Sequence, residues 1–414
     1  MKTAILFLLA VSSLLAHSKA SQRSSIQASV KGKGTKAATS GAVPIDLRDN
    51  RVFVTLTCVR ADGSLRPVRF QVDSGGGAVI LAESLSHDLA LKSIGPVSKE
   101  EGDIYQPVSS PQIRIDEMPL DLAGVNTVVL VGSKSEFSPG SGAEGFLPAR
   151  VLRKYQVVFD YPARQFTMAQ PGALKPRGVP VPSPIAEKSG FPRIELSVDG
   201  QKYGFLLDTG AAYTMISQTL IDKWQAAHPN WPHCVGAVGA ANMIGGASDA
   251  KAEMLRIPEM QWGTFDLPRV GVVSRPAGTF EKWMSGMMTA PIVGSIAGNM
   301  LRAFRIEIDY PHGVTYLERQ ADASQESLNV VGVVIGVRLD GSYIIGGVAH
   351  CGDKNAVDGV QPNDRLISIN NWMVNGSLAN VLQQLQGKPG EAKTLVIERD
   401  GKQITVKTSV TSLF

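Results

Sequence analysis

Two aspartates occupy matching points of a repeat in this chain of 414 residues. Asp73-Ser74-Gly75 follows the apolar residues 70–72, and Asp208-Thr209-Gly210 follows the apolar residues 205–207. Two carboxyl groups held close together cannot both ionise, so one keeps a proton while the other can activate water against an amide. The repeated triplet therefore indicates a hydrolase that takes one aspartate from each half of the chain.

A single triplet of this kind is more typical of a turn, where aspartate and glycine are favoured anyway. Here each triplet follows a predicted buried strand and precedes a second apolar run, at 78–81 and 213–216. A solvent-facing turn requires neither feature. We therefore predict that Asp73 and Asp208 form a catalytic pair. The loop residues predicted to support that pair are Ser74, Gly75, Thr209 and Gly210.

Similar elements must position the two aspartates. Alternating residues predict a hairpin over 51–58 and 68–72 before Asp73, and another over 193–198 and 203–207 before Asp208. Each half then closes with a segment that contains Asp-Tyr-Pro, at 160–162 and 309–311. The repeat predicts two copies of one mainly β lobe that meet at a pseudo-two-fold axis.

Length and composition set the outer limits. A chain of 414 residues is long for one core, so two or three domains are expected. The formal net charge is only +4, and several basic residues fall within 22–36, so we expect no nucleic-acid partner.

Residues 1–20 resemble a secretory signal, with Lys2, the apolar run 4–16 and small residues near position 20. The alternative, a membrane anchor, is disfavoured because this run is too short for the ~30 Å hydrocarbon layer. We expect an exported protein, periplasmic or secreted, without a stable membrane span.

Composition shifts divide the chain further. A proline- and glycine-rich stretch separates the two halves, and a polar stretch precedes a final strand run, helix and hairpin, at 332–339, 374–385 and 393–406. Cys58, Cys234 and Cys351 are expected to be buried thiols, with a Cys58–Cys234 bridge as the alternative. The predicted boundaries are signal 1–20, flexible tether 21–42, first lobe 43–168, linker 169–184, second lobe 185–319, linker 320–328 and C-terminal domain 329–414.

Residues 44–319 resemble the aspartic proteases of the retropepsin-like and pepsin-like group. The second lobe carries the family motifs Asp208-Thr209-Gly210, Ile296-Ala297-Gly298 and Ile308-Asp309-Tyr310. The first lobe keeps Asp73-Ser74-Gly75 and departs from the family pattern elsewhere. The departures are Gly76-Gly77, Val79 and Pro148.

This resemblance implies a two-lobed endopeptidase that acts on peptides or proteins without a metal, a cofactor or a covalent intermediate. The Ser74 and Thr209 hydroxyls would bond across the lobe interface. One chain supplies both aspartates, so a monomer suffices. A flap should cover the site, and its candidates are 101–115, which includes Tyr105, and 236–251.

The C-terminal residues resemble a PDZ domain of the kind found in bacterial proteases. The resemblance rests on Ala356, Gly359-Val360, Asn363-Asp364, Leu366 and Ile369-Asn370-Asn371. It implies recognition of a C-terminal peptide, with 332–339 as the docking edge. The domain is expected to be an independent recognition module.

Two alternatives and one expectation about pH follow. The first-lobe departures favour a peptide-binding protein that has lost catalysis, and another amide, such as a cell-wall cross-link, is a further substrate class.

In pepsin-like members a hydroxyl three residues after each aspartate donates to the carboxylate, but here those positions are Gly76 and Ala211. Without that donor the dyad pKa should be higher, which predicts an optimum in mild rather than strong acid.

Overall fold

The computed structural model describes residues 38–100, 103–133, 141–242, 249–320, 328–338, 340–352, 354–375 and 378–413. The fold is mainly β, as predicted. The predicted signal 1–20, residues 21–37 of the tether and residues 321–327 of the second linker lie outside the described residues. Among the helices that are described, none has both the length and the apolar character needed to cross a membrane.

The first part of the described chain contains thirteen strands and two short helices. The strands are β1 Ser40–Pro44, β2 Asp46–Arg48, β3 Arg51–Val59, β4 Leu65–Asp73, β5 Val79–Ala82, β6 Ser98–Glu100, β7 Asp103–Pro107, β8 Gln112–Ile115, β9 Met118–Pro119, β10 Thr127–Leu130, β11 Gly145–Pro148, β12 Gln156–Asp160 and β13 Gln165–Ala169. The helices are α1 Glu83–Asp88 and α2 Ala149–Leu152.

The second part contains strands β14 to β23. They are β14 Val179–Pro182, β15 Arg193–Val198, β16 Gln201–Leu207, β17 Thr214–Ser217, β18 His233–Val235, β19 Glu253–Trp262, β20 Phe265–Arg275, β21 Gly294–Ile296, β22 Phe304–Asp309 and β23 Val314–Arg319. The helices are α3 Gln218–Ala227 and α4 Gly298–Leu301, with further helical turns at Gly239–Ala241, Asp249–Lys251, Thr279–Met284, Ser285–Met287 and Tyr310–His312.

The C-terminal unit, residues 328–413, contains the remaining strands and one helix. The strands are β24 Asn329–Val330, β25 Val333–Val337, β26 Tyr343–Val348, β27 His350–Cys351, β28 Lys354–Asn355, β29 Arg365–Ile369, β30 Trp372–Met373, β31 Ala392–Arg399, β32 Lys402–Ser409 and β33 Thr411–Ser412. The helix is α5 Leu378–Leu385. The predicted strand, helix and final hairpin are all present here.

The strand pairing of the first part repeats in the second. In the first, β4 pairs antiparallel with β3 and parallel with β11, which pairs antiparallel with β5, itself parallel to β10. In the second, β16 pairs antiparallel with β15 and parallel with β21, which pairs antiparallel with β17, itself parallel to β20. We call these two parts the first and second repeat. The hairpins predicted before the two aspartates are β3–β4 and β15–β16.

A separate six-stranded sheet joins the two repeats, in the order β1-β13-β12-β22-β23-β14. At its centre β12 and β22 are antiparallel, from the pair Gln156 and Asp309 to the pair Asp160 and Arg305. These are the closing segments identified in the sequence. Each repeat therefore contributes its closing strand to one shared sheet.

Alternation and helical spacing create the buried faces. Alternate residues of β3 (Val52, Val54, Leu56 and Cys58) are buried, as are Leu220, Ile221 and Trp224 on one side of α3. These side chains belong to an apolar cluster that spans both repeats. A second cluster joins the second repeat to Leu328, Val330 and Val334 of the C-terminal unit. The C-terminal unit therefore has an apolar core of its own and also shares a second cluster with the second repeat.

The prediction of three buried thiols is wrong for two of the cysteines. Cys234 on β18 and Cys351 on β27 form a disulfide across a sequence separation of 117 residues, whereas Cys58 is a buried free thiol. The alternative Cys58–Cys234 bridge is thereby also wrong. The C-terminal unit folds back onto β18, where Val235 pairs with His350, and this contact brings the two sulfurs together.

Two glycines at equivalent positions let β11 and β21 pass closely over an aromatic ring. A Cβ at Gly145 would lie 2.3 Å from Cε1 of Phe70, and a Cβ at Gly294 would lie 3.0 Å from Cε1 of Phe205. Both rings are fully buried directly before the aspartate loops. These strands can pair with β4 and β16 only because they lack a side chain there.

Replacing Gly145 with alanine should destabilise the protein by about 1–3 kcal/mol, the usual cost of overpacking a core. Urea denaturation measures this as a lower free energy of unfolding. Gly286→Ala is the matched control, since no atom lies within 4 Å of its Cβ position. Equal stability of the two variants would contradict the packing of β11 against Phe70.

Candidate active site

The two aspartates emerge from equivalent strands of the two repeats. Asp73 is the last residue of β4, and Asp208 follows β16 directly. On the next strands, Leu147 lies beside Val72 and Ile296 beside Leu207, so a buried apolar pair precedes each carboxyl group. Asp73 is only 6% exposed and Asp208 only 2%. The structure therefore removes both carboxyl groups from bulk water.

Reciprocal hydrogen bonds tie the two loops together. The Ser74 hydroxyl donates to the Leu207 carbonyl at 2.7 Å and accepts from the Thr209 N–H at 3.0 Å. The Thr209 hydroxyl donates to the Val72 carbonyl at 2.9 Å and accepts from the Ser74 N–H at 3.1 Å. All four bonds are buried, and they are the bonds across the two loops that the resemblance to the aspartic proteases implied. They hold the two aspartates on either side of one axis.

The glycine of each loop lies against the aspartate of the other. A Cβ at Gly210 would lie 2.5 Å from Cγ of Asp73, and a Cβ at Gly75 would lie 3.1 Å from Cγ of Asp208. A side chain at either position would push the opposite carboxyl group away. The glycines are therefore required for the close approach of the two loops.

Backbone N–H groups fix the orientation of both carboxylates. Asp73 Oδ1 accepts from the Gly75 N–H at 2.8 Å. Asp208 Oδ1 accepts from the N–H groups of Gly210 and Ala211, at 3.0 and 3.1 Å. Main-chain N–H groups therefore bind the Oδ1 atom of each carboxylate, although Gly76 and Ala211 have no hydroxyl to contribute.

Burial dominates the protonation of the pair. It raises the pKa of Asp73 to about 6, and the nearby N–H groups and the Arg51 charge offset part of the effect. Burial raises the pKa of Asp208 well above its usual range, and the charge of Asp73 raises it further. The two carboxyl groups therefore titrate as one pair, which retains a proton to a higher pH than isolated carboxyl groups would.

Two side chains of the first repeat bind the second aspartate loop. The Arg51 Nε donates to the Gly210 carbonyl at 3.2 Å, and the Gln71 Nε2 donates to the same oxygen at 3.0 Å. Sequence analysis missed both residues. The signal in the sequence was their position in the β3–β4 hairpin. Gln71 pairs with Phe53, and Arg51 lies two residues before Phe53, so the side chains of Arg51 and Gln71 lie on the same face of the hairpin.

Two buried tyrosines follow the central strands of the shared sheet, and each interacts electrostatically with the aspartate of the other repeat. Burial raises the pKa of the Tyr161 phenol strongly, and the charge of Asp208 adds to it. Burial and the charge of Asp73 do the same for Tyr310. Neither hydroxyl has a hydrogen-bond partner among the described residues. The closing Asp-Tyr-Pro segments thus extend to the neighbourhood of the opposite repeat's aspartate, a role that sequence analysis did not assign to them.

Two departures of the first repeat are matched to each other. In the second repeat the Thr214 hydroxyl accepts a hydrogen bond from the Ala297 N–H at 3.2 Å. The equivalent residues in the first repeat are Val79, which has no hydroxyl, and Pro148, which has no N–H. Both partners of the bond are missing together, so no buried donor is left unsatisfied.

Tyr105, the flap residue predicted from the sequence, lies in the same sheet as β4. Tyr105 is buried on β7, opposite Ser98 on β6 and Leu130 on β10. Residues 101–102 and 243–248 of the two flap candidates lie outside the described residues, so the flap stays a prediction. Within the residues that are described, no three His, Cys, Asp or Glu side chains are grouped to hold a metal ion.

No protein-family model and no curated protein sequence matches this chain. The chemistry of the site therefore has to be inferred from its own geometry. That geometry is a buried pair of carboxyl groups, held by main-chain donors and locked by two hydroxyls. Such a pair can accept one proton and donate another at the same bond.

The raised pKa values predict a pH-dependent stability. The folded protein retains protons that the unfolded chain loses above about pH 4. The contribution of the dyad to the free energy of unfolding should therefore be greatest below pH 4 and fall as the pH rises through the pKa of Asp73, about 6. Asp208→Asn keeps the shape but removes a carboxyl group whose proton the fold retains and the unfolded chain loses, so its Tm should rise relative to the parent as the pH increases from 4 to 8.

Thermal unfolding at a series of pH values measures this difference. Asp116→Asn is the control, since Asp116 is exposed in the turn between β8 and β9, away from the dyad. Parallel curves for Asp208→Asn and the parent would mean that burial does not perturb the pair.

Proposed function

We propose that this protein is an exported aspartic endopeptidase in which Asp73 and Asp208 activate a water molecule against a peptide bond. The observation that carries the proposal is the reciprocal Ser74 and Thr209 bonding, which fixes two buried carboxyl groups at one axis. Their raised pKa values support it, because a pair that retains a proton above the usual carboxyl range can supply an acid and a base together. Lone structural aspartates would need neither feature.

The chemistry divides between the two side chains. Ionised Asp73 accepts a proton from water as the water oxygen attacks the peptide carbonyl carbon. Protonated Asp208 gives its proton to the carbonyl oxygen, which forms a neutral tetrahedral diol. Asp73 then passes its proton to the amide nitrogen as the C–N bond breaks, and Asp208 recovers a proton from a diol hydroxyl. The pair ends with the single proton it began with.

The repeated strand pairing supports the two-lobed acid-protease fold, with lobes at about 43–168 and 185–319. Residues 329–414 would then form the PDZ domain, for which the strands and helix of the C-terminal unit provide the elements. Under this proposal peptides or proteins are the substrates, and one chain is sufficient for activity.

The alternative of a binding protein without catalysis rests on the departures Gly76-Gly77 and Pro148. Pro148 is matched by Val79, so the loop is left without an unsatisfied donor. The Gly76 N–H faces Asp73 and helps to lower its pKa. These departures therefore do not disturb the carboxyl geometry, and the endopeptidase is the better supported function.

Asp73→Asn and Asp208→Asn should each lower kcat about a thousandfold or more, as expected when a unit acting in concert loses one member. The measurement is the release of labelled fragments from fluorescent casein, with and without a pepstatin-type inhibitor. Asp116→Asn should cleave like the parent. Turnover above a tenth of the parent rate in either dyad variant would overturn the proposal.

The pH profile of kcat/KM tests the protonation of the pair. Activity should fall on the acid side as Asp73 takes up a proton at about pH 6, and on the alkaline side as Asp208 loses its proton. Ala211→Ser adds a hydroxyl donor beside Asp208 and should move the alkaline limb toward acid. Gly76→Ser is unsuitable, because its Cβ would lie 2.9 Å from Asp73 Oδ2.

An optimum in strong acid, near the lower pepsin pKa of ~1.5, would contradict this assignment. So would an alkaline limb that Ala211→Ser leaves in place, because the added donor must favour the ionised form of Asp208.

A further inference from the structure

Strand β25 lies at one end of the order β25-β26-β29-β31-β32 in the sheet of the C-terminal unit. The backbone groups of an end strand can pair with an added peptide strand, which is a common mode of peptide recognition. The end of α5 lies next to the start of β25, where the Val331 N–H donates to the Leu385 carbonyl at 2.9 Å. A strand edge beside a helix end thus has the arrangement that an extended chain could pair with.

The second repeat of the same molecule already covers this edge. The Asn242 Nδ2 donates to the Ile335 carbonyl of β25 at 3.1 Å, and this bond is buried. An amide N–H given to a strand carbonyl is the bond that a pairing peptide would supply. Just before Asn242, the turn Gly239–Ala241 contacts α5. We call residues 237–242 the covering segment.

Small side chains allow the covering segment to approach closely. Its sequence is Ala-Val-Gly-Ala-Ala-Asn, and its first five residues include four with no more than one side-chain carbon. A Cβ at Gly239 would lie 3.1 Å from Cγ1 of Val330. Val334 of β25 belongs to the same apolar cluster as Ala237 and Val238. The segment therefore contacts β25 through apolar packing as well as through Asn242.

A disulfide holds the covering segment in place. Cys234 lies three residues before the segment, and its partner Cys351 lies three residues after the end of β26. A covalent link raises the local concentration of the segment at the edge far above that of a free peptide. Cys234 is buried, but Cys351 is partly exposed. Cys351 is therefore the half of the bond with the better access for a thiolate.

We propose that the covering segment and the Cys234–Cys351 disulfide form an autoinhibitory closure of the β25 edge, and this inference rests on the peptide docking at that edge that the proposed PDZ domain implies. A dithiol opens this closure. The dithiol supplies two electrons and two protons, the S–S bond breaks to give two thiols, and the dithiol closes to its own disulfide. The proposal concerns the C-terminal unit and does not depend on catalysis by the dyad.

The test uses a fluorescein-labelled synthetic peptide with the sequence of residues 235–242, titrated by anisotropy. The full-length protein carries Asp208→Asn, so that the probe is not cut. The oxidised protein should bind at least tenfold more weakly than the same protein with Cys234→Ser and Cys351→Ser, or than the protein treated with dithiothreitol. Cys58→Ser is the matched control and should respond to dithiothreitol as the parent does.

Asn242→Ala provides a second route if the cysteine variants fail to fold. It keeps the disulfide but removes the hydrogen bond to Ile335, so the probe should bind severalfold more tightly than to the oxidised parent. Equal binding in the closed and opened proteins would overturn the proposal, as would no binding in any of them at millimolar peptide. Either result would be independent of the casein assay, which reports on the dyad alone.

Discussion

The exchange of hydrogen bonds between Ser74 and Thr209 is the interaction on which the rest of this molecule depends. Each hydroxyl is fully buried, donates to a carbonyl of the other loop and accepts an N–H from it. Losing one hydroxyl would leave buried main-chain groups unsatisfied, at a cost of about 1–3 kcal/mol for each group. The bonds connect residues 133 to 137 positions apart, so they form only when both repeats are folded.

This constraint explains why two carboxyl groups can stay buried side by side. Taken alone they destabilise the fold, because burial favours their neutral forms and proximity disfavours a double charge. The main-chain N–H groups of Gly75, Gly210 and Ala211 recover part of that free energy. The shared sheet adds Tyr161 and Tyr310, each close to the other repeat's aspartate. The dyad is thus enclosed by contributions from both repeats and cannot form within one of them.

The C-terminal unit is bound to the second repeat more closely than a tethered recognition module would be. It shares an apolar cluster with that repeat, pairs β27 with β18 and carries one half of the disulfide. Removing residues 328–413 would expose Ala237, Val238 and Ala241, which are buried against it. A truncated chain would therefore measure the stability of the second repeat together with any loss of recognition.

The sequence by itself determined the local features. Period-two alternation predicted the hairpins β3–β4 and β15–β16, because side chains of a strand alternate between two faces. The repeated triplets identified Asp73 and Asp208 and their loop residues, because the Asp-hydroxyl-Gly pattern and its apolar approach are short-range. Tertiary structure alone decided contacts between residues far apart in the chain. Arg51 and Gln71 meet at the Gly210 carbonyl, Val79 and Pro148 are matched, and Cys234 reaches Cys351 across 117 residues. No local pattern encodes these pairs, because each depends on which strands the completed fold places side by side.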